Sequence, residues 1–105
     1  MNSEEIIEVI RRRCSEENIT LHEFCNYNMP DDLILELESI IGPWPIVSEK
    51  RTHPDEYQFV LYIENHKIYL AIDGDYSSWG GVDLSNSIPY EVVEDTKTIK
   101  YWKAV

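Results

Sequence analysis

The strongest constraint on the fold is a pair of alternating segments in the second half of the chain, EYQFVLYIE and IYLAID, separated by NHK. Side chains on a β-strand point alternately to the two faces, so alternation in two neighbouring segments predicts an antiparallel hairpin. The opposite face of this hairpin is rich in tyrosine. The residues predicted to face the core are Tyr57, Phe59, Leu61, Ile63, Ile68, Leu70 and Ile72.

Further segments extend the predicted sheet. IPYEVVED and KTIKYWKAV alternate as well, and they predict a second hairpin that turns around Glu94–Lys97. The stretch PWPIVSEKRTHPDE, residues 43–56, is rich in proline and charge and is interpreted as a flexible connection. The sheet is therefore expected to contain about four strands.

The first half of the chain is predicted to be helical. Ser3 is a candidate N-cap for a first helix, because Glu4 and Glu5 follow it in the first turn. Thr20 and Glu23 have the spacing of a capping box, which starts a short second helix. A third helix follows in MPDDLILELESIIGPWP and ends at the Gly-Pro pair.

Residues 1–105 are expected to form one α+β domain, with a three-helix segment over residues 1–42 followed by the antiparallel sheet over residues 57–105. No apolar run approaches the roughly 20 residues of a membrane span. The N-terminus is acidic before it is basic, which is the reverse of a secretory signal. We therefore expect a cytoplasmic protein.

The chain is strongly acidic, with 20 acidic and 9 basic residues and a net charge of −11. Such a charge repels nucleic acids and anionic membranes and attracts basic surfaces, although it also serves solubility. The arrangement of helices is similar to a helix-turn-helix. The third helix, DDLILELES, however contains no basic residue, and it would place acidic side chains against the DNA phosphates. We expect a basic protein partner, with no direct contact to nucleic acid or membrane.

The stretch AIDGDYSSWGGVDLSNS contains three aspartates that raise the question of a metal site: Asp73, Asp75 and Asp83. Counted from Asp73, an EF-hand loop would need glycine where Ser78 stands and glutamate where Leu84 stands. A small metal-dependent enzyme or a calcium-binding module that uses the three aspartates stays an alternative. Because no catalytic or phosphate-binding motif is present, the expectation is a protein with no enzymatic activity, no catalytic residue, no bound metal and no cofactor.

The same stretch is also interpreted as a contact patch, because exposed aromatic residues among acids are typical of interfaces with basic partners. Leu35 of the third helix is either covered by the sheet or exposed as a contact residue. Trp79 either belongs to the patch or folds back onto the core, and both readings stay open. The predicted partner-binding residues are Asp73, Asp75, Tyr76, Ser77, Ser78, Trp79 and Asp83, together with Asp31, Asp32 and Leu35.

IDGDYSSWGG followed by PYEVVEDTKTIKYW resembles a pattern found in small acidic proteins of bacteriophages and prophages. The pattern is D-G-x-Y-S-S-aromatic-x-G, then Y/F-E-V, then a last strand that ends near tryptophan, and it covers residues 57–105. The resemblance implies a phage accessory protein that inhibits a host nuclease or defence complex, as anti-CRISPR proteins and DNA mimics do, and it supplies no catalytic residue. An immunity-type inhibitor of a bacterial toxin is a further alternative.

Overall fold

The computed structural model of the chain describes residues 1–95 and 101–105, and it shows three helices followed by an antiparallel sheet. This arrangement confirms the predicted α+β class. The helices are α1 (Ser3–Glu16), α2 (Leu21–Cys25) and α3 (Asp31–Ile41). The strands are β1 (Ile46–His53), β2 (Glu56–Ile63), β3 (Ile68–Ser77), β4 (Gly81–Asp83), β5 (Tyr90–Asp95) and β6 (Tyr101–Ala104).

Capping boxes define the starts of the first two helices. The predicted cap of α1 is wrong by one residue: the side chain of Asn2, not Ser3, accepts the Glu5 N–H at 2.9 Å, and the Glu5 carboxylate accepts the Asn2 N–H at 3.1 Å. Asparagine and serine cap helices equally well, so neighbouring candidates cannot be ranked by type alone. Thr20 and Glu23 form the predicted box at α2, and the hydrogen bonds that the Glu23 carboxylate accepts from the Thr20 N–H and hydroxyl lower its pKa.

The main core lies between the helices and one face of the sheet. Trp44 is fully buried there, stacked against Phe24 at 4.5 Å and Tyr27 at 4.4 Å between ring centroids. Its indole N–H donates to the Phe24 carbonyl at 2.9 Å, so the buried polar atom has a partner. The predicted inward residues of β2 and β3 that are fully or almost fully buried in this core are Phe59, Leu61, Ile63, Leu70 and Ile72.

The strand order is β1-β2-β3-β5-β6, and β4 pairs with the far end of β3. The prediction of a flexible connection over residues 43–56 is wrong, because β1 lies within it as an edge strand paired with β2. Most β1 side chains are exposed, so the strand lacks the apolar alternation that marks β2. Of the predicted second turn, Glu94 and Asp95 lie in β5, and residues 96–97 lie outside the described residues.

The second face of the sheet carries the predicted tyrosine-rich surface. Tyr69 contacts Tyr62 and Trp102, each at 4.7 Å between ring centroids. The rings of Tyr69, Tyr90 and Trp102 pack around the small side chains of Val60, Ala71 and Val92, which are buried. Aromatic rings therefore cover a second, smaller core on the side without helices.

A close approach at Gly74 attaches β4 to the sheet. A Cβ atom at this position would collide with Leu84 Cδ2 and would lie 2.7 Å from the Asp83 carbonyl oxygen. Leu84 is 3% exposed and belongs to the main core. Glycine at position 74 thus allows the chain after β4 to cross β3 and bury Leu84.

We expect Gly74→Ala to destabilise the fold by about 1–3 kcal/mol, as overpacking of a filled site does. The melting temperature should fall by roughly 5 °C or more. Gly80→Ala is the matched control, because its added methyl meets only the Ser77 hydroxyl, and moving that hydroxyl costs at most the exposed Ser77–Gly80 hydrogen bond and no core contact. Equal melting temperatures for the two variants, measured by circular dichroism, would contradict this account of Gly74.

Candidate binding surface

The aspartate-rich stretch is a hairpin with a tight tip. β3 continues to Ser77, residues 78–80 form the turn, and β4 returns from Gly81. The Ser77 hydroxyl accepts the Gly80 N–H at 2.9 Å, and Gly81 has a φ of +74°, which glycine adopts without steric cost. The tip is therefore held in one shape by local hydrogen bonding and strand pairing.

Three acidic residues lie side by side on the adjacent strands β2, β3 and β4, and we call Glu56, Asp75 and Asp83 the acid row. Asp75 is in register with Glu56 of β2 on one side and with Asp83 of β4 on the other. Neighbouring strands are about 4.8 Å apart, so the three residues span about 10 Å. Like charges directly opposite each other destabilise a sheet. The acid row therefore has a folding cost that other polar side chains would avoid.

Asp73 lies on the same face of β3 as Asp75, as the alternation predicts, but its carboxylate is already engaged. It accepts hydrogen bonds from Gln58 Nε2 at 2.9 Å and from the Tyr90 hydroxyl at 2.6 Å. Burial, together with the bond to Asp73, raises the pKa of Tyr90 to about 12. The Ser87 hydroxyl donates to the Asp73 carbonyl. Asp73 thus ties neighbouring segments together beside the acid row.

An open groove of about 440 Å³ runs along this face. Its acidic lining consists of Asp73 and the acid row, and its other lining residues include Thr52, His53, Gln58, Asn86 and Ser87. Within residues 1–95 and 101–105, no group of three or more His, Cys, Asp or Glu side chains is arranged to hold a metal ion. The geometry gives no support to the metal-site alternative for the three aspartates.

The lowered pKa of Asp83 suits a charged residue of a surface better than a general acid. Its carboxylate accepts hydrogen bonds from the Ser85 hydroxyl and from the Ser85 N–H, the latter at 2.9 Å, and these bonds lower the pKa of Asp83. A general acid near neutral pH needs a raised pKa instead. The two thiols are also poor nucleophiles, because burial raises the pKa of Cys14 to about 11 and of Cys25 to about 12.

Trp79 lies at the tip and is 92% exposed. This exposure resolves the question left open by the sequence, because the side chain does not fold back onto the core. Together with Asp75 and Asp83, Trp79 lines a shallow hollow of about 270 Å³, whose other walls come from residues 76–77 and the two glycines of the tip. We call this the tip hollow. It brings one aromatic surface and two carboxylates of the predicted patch to one place.

Tyr76 was predicted to share the contact surface with Trp79, but the structure gives it different neighbours. It pairs with Val82 in the hairpin, so its side chain is on the opposite face from Asp75. There the Arg51 guanidinium lies 4.4 Å above its ring, and Tyr57 lies 6.0 Å away between centroids. Tyr76 is half-buried and has partners within the chain.

The three predicted residues of α3 lie on a different surface. Leu33 and Leu37 turn that helix towards the core, whereas Asp31, Asp32 and Leu35 are exposed, Leu35 at 65%. The acid row lies on the face of the sheet that points away from the helices. The predicted residues therefore divide between two layers of the molecule.

Among the residues that sequence reasoning missed are the neighbours that strand pairing brings to the aspartates: Glu56, Gln58 and Tyr90. Each is brought to the aspartates by strand register, Glu56 opposite Asp75 and Gln58 opposite Asp73. The alternation of EYQFVLYIE predicts Gln58 on the second face of the hairpin, and the same alternation extended back by two residues includes Glu56. Counting the register back from the NHK turn would have found both, whereas Tyr90 reaches Asp73 only through the pairing of β5 with β3.

No family model, curated protein or solved structure matches the chain. The resemblance of residues 57–105 to phage proteins therefore stays a prediction. Among the helices of the described residues, none is long and apolar enough to cross a membrane.

The raised pKa of Tyr90 predicts a pH-dependent loss of stability. Its pKa moves from an ordinary 10 to about 12 on folding, so the protonated hydroxyl stabilises the fold fully below pH 10. This contribution disappears as the pH rises towards 12. Wild type should lose its stability advantage over Tyr90→Phe in that window, measured by urea unfolding at fixed pH. A difference between the two proteins that stays constant from pH 8 to 12 would contradict the assignment.

Proposed function

We propose that this protein is an acidic, non-enzymatic binding protein that docks on a basic, nucleic-acid-binding surface of a host protein and blocks it. The observation that carries the proposal is Trp79, 92% exposed at a rigid hairpin tip and flanked by Asp75 and Asp83. Tryptophan is a large apolar residue that is mostly buried in folded proteins, and it is enriched among interface anchors.

The charge of the chain supports a basic partner. The net charge is −11, and acidic residues occur on both layers of the fold, in the acid row and at Asp31 and Asp32 of α3. Charge of this size steers a basic surface towards the protein and suppresses acidic partners. Because exposed charges are screened by salt, association should slow as ionic strength rises.

The acid row supports a nucleic-acid-binding surface as the target. DNA carries closely spaced negative charges, about one per 3.4 Å of helix axis on each strand, and the acid row also holds its carboxylates close together, with neighbouring strands about 4.8 Å apart. A protein surface that binds the phosphate backbone carries several basic side chains, and a row of carboxylates offers them acceptors in place of phosphates. A phage origin and a CRISPR or other defence nuclease as target are supported only by the resemblance of residues 57–105.

Trp79→Ala is expected to reduce capture of the partner by about 30-fold or more, which corresponds to loss of an interface anchor worth about 2 kcal/mol. Its melting temperature should stay within about 1 °C of wild type, because the removed side chain is exposed. Tagged wild-type protein should capture nucleic-acid-binding proteins from a bacterial lysate. Added double-stranded DNA should release them, and so should raised salt.

Ile88→Ala is the matched control, since Ile88 is another large apolar residue that is 58% exposed and lies outside the predicted patch. It should leave capture unchanged.

Asp75→Asn should mainly slow association at low salt, measured by stopped flow with the captured partner. Capture that is insensitive to Trp79→Ala, or direct binding of DNA by the protein itself, would refute the proposal.

A further inference from the structure

Building on the proposed function, we propose that the tip hollow receives an arginine side chain of the partner. The guanidinium stacks on the indole of Trp79 and donates hydrogen bonds to the carboxylates of Asp75 and Asp83. This assigns the hollow as the point where the partner is anchored and names the chemistry that it recognises.

The geometry of the hollow fits a planar cation. Asp75 and Asp83 are directly opposite on paired strands, so their carboxylates point to the same side with Cβ atoms about 5 Å apart. The indole of Trp79 supplies an exposed aromatic surface next to them. Of the side chains that line the hollow none is basic, so the site has acceptors and a π surface but no cation of its own. An arginine supplies five N–H donors and a flat face that stacks on aromatic rings.

The chain already binds a guanidinium in this way on the other face of the same hairpin. Arg51 lies with its Cζ 4.4 Å above the ring of Tyr76. Its Nε and Nη2 donate to the Pro54 carbonyl at 3.2 and 2.8 Å, so stacking and in-plane hydrogen bonding occur together. The tip hollow offers the same two kinds of contact, with charged acceptors in place of a carbonyl.

Arginine fits the hollow better than lysine does. A lysine ammonium is strongly hydrated and acts as a point charge, and it cannot use an aromatic face and two carboxylates in one plane as the arginine fork does. The size of the hollow also favours a single side chain, since its volume is about 270 Å³. A partner surface rich in arginine is thus distinguished from one that is merely basic.

The probe is a short synthetic peptide, acetyl-Gly-Arg-Arg-Gly-amide, titrated at low salt into the ¹⁵N-labelled protein. We expect the indole N–H of Trp79 and the amides of Gly80 and Gly81 to shift in the NMR spectrum. Replacing arginine by lysine should weaken binding at least three-fold, and replacing it by citrulline, which is uncharged, should abolish the shifts. Equal affinity for the arginine and lysine peptides would overturn the proposal.

Variants locate the site. Trp79→Ala should weaken peptide binding at least ten-fold, as measured from the NMR shifts of the Gly80 and Gly81 amides. The double variant Asp75→Asn with Asp83→Asn should weaken binding by at least the same factor. The double variant is not expected to unfold, because it removes opposed like charges. The control Asp31→Asn with Asp32→Asn removes the same charge from α3 and should change the affinity less than two-fold. An equal loss in the control, with shifts spread over α3, would overturn the site.

A second copy of the chain, with its exposed Arg11 and Arg12, is the competing occupant. Binding of a second copy would shift the Trp79 signal as the protein concentration is raised without peptide. This result would overturn the proposal that the hollow receives an arginine of a different protein. Failure of the proposed function has a different signature: the arginine peptide still binds at the hollow, but no captured protein binds nucleic acid. If instead nucleic-acid-binding partners are captured through Trp79 while the peptide discriminates nothing, only the arginine assignment fails.

Discussion

The pairing of β2 with β3 is the contact on which both the core and the candidate binding surface depend. It runs without interruption from Ile63 opposite Ile68 to Glu56 opposite Asp75. Alternate residues of both strands are buried against the helices, and a slip of one residue would expose all of them. The same register places Glu56 and Asp75 together on the other face. Hydrophobic burial on one side of the sheet therefore fixes the position of the carboxylates on the other.

The acid row lies where other contacts of the sheet offset the repulsion between its carboxylates. At the start of β3, the outer face carries the ring of Tyr69 with its neighbours Tyr62 and Trp102, whose packing does not require charge. Between these regions, the carboxylate of Asp73 accepts hydrogen bonds from the Gln58 amide and the Tyr90 hydroxyl. At the far end, the burial of Leu84 beneath Gly74 holds β4 in place against the repulsion between Asp75 and Asp83. Apolar contacts on the inner side thus compensate for like charges on the outer side.

The parts of the fold with strong local patterns could be predicted, and the parts set by long-range pairing could not. Thr20 and Glu23, three residues apart, sufficed to place α2, and apolar alternation sufficed for β2 and β3. β1 was missed because an edge strand with exposed side chains has no apolar period to detect. At the candidate site, the aspartates could be identified from the sequence. The side chains next to them could not, because they depend on the register of strand pairing. The exposure of Trp79 was undecidable locally, since flanking serines and glycines are compatible with either outcome.

In the proposed complex, acidity and the exposed indole would affect different stages of binding. Long-range attraction raises the rate of encounter and acts through the whole charge of −11, to which each carboxylate, including that of Asp75, contributes a part. The lifetime of a complex depends instead on desolvated contacts near the centre of the interface. Trp79 can supply such a contact at little entropic cost, because strand pairing and the Ser77–Gly80 hydrogen bond already hold the tip. A flexible acidic loop would keep the steering but lose this preorganisation. The hairpin is therefore the structural reason why an acidic surface here can be selective rather than merely attractive to cations.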